Sequence, residues 1–202
     1  MQTARTLAAL VASVALAACG PGSKIEKLEP GAIVLAFGDS LTFGTGAAPD
    51  DSYPAVLERA IGRKVVNAGV PGETSAQGLE RLPGVLDEVR PRLLILCHGG
   101  NDFLRRLDEA RAKENIRAMI ALARDKGIPV LLVATPKPSV PPSVPTFYME
   151  IATDLRVPIE ETVIRTVILD SRLKSDLVHP NAKGYSQIAA AVEKTLRKAG
   201  AI

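Results

Sequence analysis

Four short apolar runs constrain this chain more than any other feature. Ile33–Phe37, Lys64–Asn67, Arg92–Cys97 and Pro129–Ala134 are rich in Val, Ile and Leu and are flanked by glycine or proline. Runs that are apolar on both alternating faces suit strands covered on both sides, because a half-exposed strand would carry polar residues at every second position. Between them lie helix-length amphipathic stretches at Tyr53–Ile61, Ser75–Arg90 and Asp108–Lys126. In the last, Ala110, Ile116, Met119, Ile120 and Ala123 recur at helical spacing and Gly127 ends the run. Pro83 and Gly84 predict a kink or a division in the second. A final helix from Ala182 to Lys198 gathers Ile188, Ala189, Val192 and Leu196 on one face. Strands alternating with helices of this length imply crossover connections and parallel pairing. The expected fold is therefore an α/β three-layer α/β/α sandwich, flavodoxin-like, with a mainly parallel sheet of about five strands. Val157–Ile159, after a helix at Phe147–Arg156, is the candidate fifth. The stretch Thr135–Pro145 holds five prolines in eleven residues and reads as a loop of limited flexibility.

The first residues have a separate logic. Met1–Thr6 carries Arg5 and no acid, and Leu7–Ala18 is apolar but for Ser13. That run is too short to span a bilayer and of the right length for an export signal. It ends in Leu16-Ala17-Ala18-Cys19-Gly20, which resembles a lipobox, where the signal is cut before a cysteine that receives lipid. The expected organisation is a signal peptide at 1–18, a lipidated N-terminus and tether at 19–31, and one folded domain at 32–202. The protein is then exported and held at the periplasmic face of a bacterial membrane through Cys19. An ordinary cut near Ala18 would instead leave it soluble in the periplasm or secreted. Cys97 lies inside a core strand, so no disulfide with Cys19 is expected. A formal net charge of +3 from scattered basic residues, with aromatics at 3%, excludes a nucleic-acid surface.

Open α/β sheets bind ligands beyond the C-terminal ends of their strands. Three polar clusters follow strand candidates and a fourth precedes the last helix. The first is Phe37-Gly38-Asp39-Ser40-Leu41-Thr42, where Ser40 is either a nucleophile awaiting a base or merely a helix cap. The Gly-x-Ser-x-Gly elbow is absent, because Thr42 stands two residues past Ser40. The base is better constrained, since the chain has 2 histidines. His179 follows Asp176 by three residues, so the carboxylate can turn back onto the ring, fix its tautomer and compensate its charge. Oxyanion donors are available as the N–H groups of Ser40 and Gly72 and the amide of Asn101. His98 follows a core strand and is expected to line the cleft floor or bond locally. No metal-ligand spacing accompanies it, so no metal site is assigned.

Together these four segments resemble the GDSL, or SGNH, family of serine esterases, in particular its bacterial branch of thioesterases, lysophospholipases and arylesterases. The resemblance runs from Ile33 to about Leu196. Its Gly-Asp-Ser-Leu nucleophile matches Ser40, its oxyanion glycine Gly72 of Gly72-Glu73-Thr74-Ser75, its asparagine Asn101 of Gly99-Gly100-Asn101-Asp102, and its acid and base Asp176 and His179. It implies a cofactor-free, two-step acyl transfer on carboxylic esters, with lysophospholipids, short acyl or aryl esters and acyl thioesters as substrate classes. It also implies a flexible loop at Glu73–Gln77 which, with the proline-rich stretch, shapes acyl binding. The same fold and triad also serve carbohydrate O-deacetylases, and a non-catalytic acyl-binding lipoprotein is the contrasting reading. His98 departs from relatives, which more often carry a small or apolar residue there.

Overall fold

The computed structural model describes residues 24–202. The expected signal peptide and Cys19 lie outside the described residues. Five parallel strands form one sheet in the order β2-β1-β3-β4-β5: β1 Val34–Gly38, β2 Val65–Gly69, β3 Leu93–Cys97, β4 Val130–Val133 and β5 Ile159–Glu160. The helices are α1 Ser40–Phe43, α2 Tyr53–Ile61, α3 Ser75–Val89, α4 Gly100–Leu104, α5 Glu109–Asp125, α6 Phe147–Leu155, α7 Val163–Leu169 and α8 Ala182–Ala199.

The strand period of two splits the apolar runs between two cores. Val34 and Ala36 of β1, Leu93 and Ile95 of β3, and Leu131 of β4 join Leu57 of α2, Val167 of α7 and Val192 of α8. Leu35 and Phe37, Leu94 and Leu96, and Leu132 face the other way, onto Leu82 of α3, Ile116 and Met119 of α5, and Ile151 of α6. This is the expected three-layer sandwich. Strands β1, β3 and β4 are buried along their whole length, which explains why they show no polar alternation, whereas the edge strand β2 is buried only at Val65 and exposes Asn67.

Three local expectations change. Helix α3 runs unbroken through Pro83, because Leu82 and Leu86, one turn apart, are both buried on the face that packs on the sheet. The fifth strand is Ile159–Glu160, paired with Leu132 and Val133, whereas Val157 is buried beside α6 in the second core. Ile25 and Leu28, assigned to the tether from sequence, are buried against the last turn of α8, their N–H groups donating to the Ala199 and Ala201 carbonyls at 2.9 and 2.8 Å. No helix among the described residues is long and apolar enough to cross a membrane.

Candidate active site

The chain leaves β1 for β2 on one side, and β3 lies on β1's other flank. The crevice outside these strand ends is where a parallel sheet of this kind leaves room for a ligand. Ser40 follows β1 as the first residue of α1. The N-cap is Asp39, whose buried Oδ1 accepts from the Leu41 N–H at 3.0 Å, so capping falls to Asp39 and the serine hydroxyl is left free. Burial pushes the Asp39 carboxyl above its ordinary value, against the opposing pull of His98 and the Leu41 N–H.

His179 reaches Ser40 from a loop that closes on itself just before α8. The Ser175 N–H donates to the His179 carbonyl at 2.9 Å, and Asn181 caps α8 by accepting from the Gly184 N–H at 3.1 Å. Within the loop, Asp176 Oδ1 accepts from the N–H groups of Val178 and His179, each at 2.8 Å. Its Oδ2 lies 2.7 Å from His179 Nδ1, and His179 Nε2 lies 3.0 Å from Ser40 Oγ. Burial acts to raise the Asp176 carboxyl, but the ring and backbone hydrogen bonds prevail and hold it below the usual carboxylate value. The three-residue spacing thus lets one carboxylate fix both the loop backbone and the imidazole. Tyr185 of α8, unnoticed in the sequence, ties that helix to the segment after α1 by donating to the Thr45 carbonyl at 2.8 Å.

Gly72 and Asn101 come from the neighbouring strand ends and line the same cavity as Ser40 and His179. Gly72 adopts φ of +80°, a conformation that a side chain would strain. Asn101 Nδ2 donates to the Glu73 carbonyl at 3.0 Å and contacts Asp39 Oδ2 at 3.3 Å. The cavity measures about 620 Å³, with walls that include Leu104 of α4, Pro138 and Val140 of the proline-rich stretch, Ile164 and Ile168 of α7, and Leu177. A larger hollow of about 760 Å³ lies near Lys27, Arg90, Arg92 and Lys126, at the opposite strand ends, and contains none of these five groups.

One expectation fails here and another narrows to one of its two forms. Glu73–Gln77 is not a free loop: Ser75 begins α3, and Thr74 and Gln77 form a capping box. Of the two places expected for His98, it does not line the cavity; it is fully buried and sits against a local partner, with Nε2 3.2 Å from Glu73 Oε2.

The profile of the GDSL-like Lipase/Acylhydrolase family matches residues 36–187, which span every group just described. The chain belongs to this family. It is 29% identical over 178 residues to Esterase TesA of Pseudomonas aeruginosa, covering 81% of this chain and 87% of that one. It is 29% identical over 172 residues to Thioesterase 1/protease 1/lysophospholipase L1 of Escherichia coli, covering 81% and 83%. The crystal structure of TesA superposes with a TM-score of 0.75 at 27% identity, over 83% of this chain and 99% of that one. The chain is accordingly a family hydrolase, an enzyme of the esterase class.

Proposed function

We propose that this enzyme hydrolyses carboxylic esters of acyl chains through a Ser40–His179–Asp176 acyl-enzyme mechanism. The observation that carries the proposal is the continuous chain of contacts, 3.0 Å from Ser40 Oγ to His179 Nε2 and 2.7 Å from His179 Nδ1 to Asp176 Oδ2, opening into an apolar-walled cavity. His179 takes the Ser40 proton as the hydroxyl attacks the carbonyl carbon, and Asp176 compensates the imidazolium. The Ser40 and Gly72 N–H groups and the Asn101 amide receive the oxyanion. His179 then protonates the departing alcohol or thiol and activates the water that frees the acyl group.

Lysophospholipids, short acyl or aryl esters and acyl thioesters are the substrate classes of this reading. The aliphatic walls from Val140 to Ile168 favour an acyl chain over an acetylated sugar, which needs hydrogen-bonding walls. Export and lipid attachment at Cys19 complete the reading, with the catalytic domain displayed at a membrane surface. Hydrolysis of p-nitrophenyl esters from acetate to palmitate, by the enzyme and its Ser40→Ala variant, tests it. Loss of about 10³-fold or more in kcat is expected for the variant. Activity within two-fold of wild type would overturn the mechanism.

A further inference from the structure

Directly after Gly72 stands a charged cluster, with Glu73 and His98 buried and Arg81 partly exposed, that the acyl-transfer chemistry leaves unused. Glu73 has 6% of its side chain exposed, and both its carboxylate oxygens accept from Arg81 of α3: Oε1 from Nε and Oε2 from Nη2, each at 2.6 Å. Arg81 Nη2 also donates to the Ala68 carbonyl at 3.0 Å, and its guanidinium lies 4.1 Å above the Phe37 ring. His98 closes the third side. Its Nε2 stands 3.2 Å from Glu73 Oε2, yet neither ring nitrogen has an aligned hydrogen-bond partner. The ring fits only because α3 is bare at Gly78, where a Cβ would sit 2.5 Å from His98 Nε2. Burial acts to raise the Glu73 carboxyl, and the hydrogen bonds and charge of Arg81, with His98, more than offset it and hold it below its ordinary value.

Such a cluster is a poor source of stability, because desolvating charges costs about as much as pairing them returns. Its placement suggests another use. Glu73 directly follows Gly72, whose backbone freedom makes its own conformation easy to lose. The same Glu73 offers its carbonyl to Asn101 Nδ2 at 3.0 Å, which fixes the plane of that amide. The Asn101 contact to Asp39 Oδ2 is longer, at 3.3 Å, so the second N–H is the one an oxyanion can claim. Arg105 meanwhile holds the Gly72 carbonyl at 2.6 Å. Glu73 is thus gripped by its side chain from below while its main chain sits between both oxyanion donors.

We propose that Glu73, clamped by Arg81 and packed against His98, is the positioning residue of the oxyanion hole, an inference that rests on the Ser40 acyl-transfer reading above. The clamp gives the Gly72–Glu73 backbone the rigidity that glycine lacks, and through the Glu73 carbonyl it aims Asn101. Its effect belongs to the transition state: the ester binds in the apolar cavity with or without the clamp, whereas the oxyanion needs donors placed to within a fraction of an ångström.

The test compares Glu73→Gln, His98→Leu and Ser40→Ala in steady-state hydrolysis of p-nitrophenyl butyrate and in inhibition by an alkyl boronic acid, which forms a tetrahedral adduct on an active serine. For Glu73→Gln, kcat is expected to fall about 10- to 100-fold with KM within about two-fold, and the boronic-acid Ki to rise in step with the loss of kcat. For His98→Leu the same pattern is expected at about 3- to 10-fold. A lower Tm with kcat and Ki unchanged in both variants would assign the cluster a purely structural role and overturn the inference. If Glu73→Gln does not fold, His98→Leu decides alone by the same criterion. Ser40→Ala separates the two failures. Activity surviving in it sinks the acyl-transfer reading, whereas an inactive Ser40→Ala beside fully active clamp variants sinks the positioning role only.

Discussion

At the scale of single residues, Asp176 shows how little sequence a catalytic loop needs. One carboxylate oxygen is spent on two backbone N–H groups and the other on the imidazole. Asp176→Asn preserves the shape but removes the charge that favours the imidazolium and the correct tautomer, so kcat is expected to fall about 10³- to 10⁴-fold. Its cost in stability should be small, because the Asp176 side chain is 52% exposed and solvent screens its interactions. The pH dependence of that small cost has a definite sign. A carboxyl whose folded value is depressed stabilises the fold above its ordinary value of 3.8 and loses that contribution as pH falls through the folded value. Urea unfolding of the enzyme and Asp176→Asn should therefore differ at pH 7, and the difference should shrink as pH falls below 3.8 through the depressed folded value. A difference that grows in acid would contradict the hydrogen-bond arrangement around Asp176.

Single elements show where sequence was and was not readable. Helix α2 was legible to the residue, and α5 and α8 nearly so, because each carries one continuous apolar stripe. The short elements were not. Helix α7 spans seven residues, yet Val163, Ile164, Val167 and Ile168 already formed a helical pattern. Helices α1 and α4 span four and five residues, too few for periodicity to register, and they hold Ser40 and Asn101. Those two residues were found through the chemistry of their neighbours and the family resemblance. For the region after Gly72 the family resemblance implies a flexible loop, although Thr74-x-x-Gln77 has the spacing of a capping box. In the structure the Thr74 N–H and hydroxyl donate to Gln77 Oε1 at 3.0 Å, and the Ser75 N–H and hydroxyl donate to the buried Asp102 carboxylate at 2.8 and 2.7 Å. Thr74→Ala leaves the Asp102 contacts in place, so a loss of about 1 kcal/mol in unfolding free energy is expected, measured by urea denaturation. No measurable loss would mean that Asp102 alone fixes the start of α3. Arg81, Glu73 and His98 come together only through the register of β3 against α3, which no local pattern announces.

Across the whole molecule, the proposed catalytic groups and the docked N-terminal segment fall at opposite poles. The proposed catalytic groups gather at the C-terminal strand ends, while the first described residues dock at the other end of the sandwich. There Ile25 and Leu28 join the core beneath α8, each with 5% of its surface exposed. The same separation makes the two poles independently testable. Leu28→Ala removes a buried aliphatic side chain and leaves a cavity, while the bond from the Arg63 guanidinium to the residue 28 carbonyl, 2.7 Å in the wild type, can persist. A loss of about 2–4 kcal/mol in unfolding free energy is expected. Because no catalytic contact crosses from this pole to Ser40, kcat per folded molecule on a p-nitrophenyl ester should stay within about two-fold of wild type. A fall in kcat without a loss of stability would show that the N-terminal segment communicates with the cleft, and the division into a stabilising pole and a reactive pole would have to be abandoned.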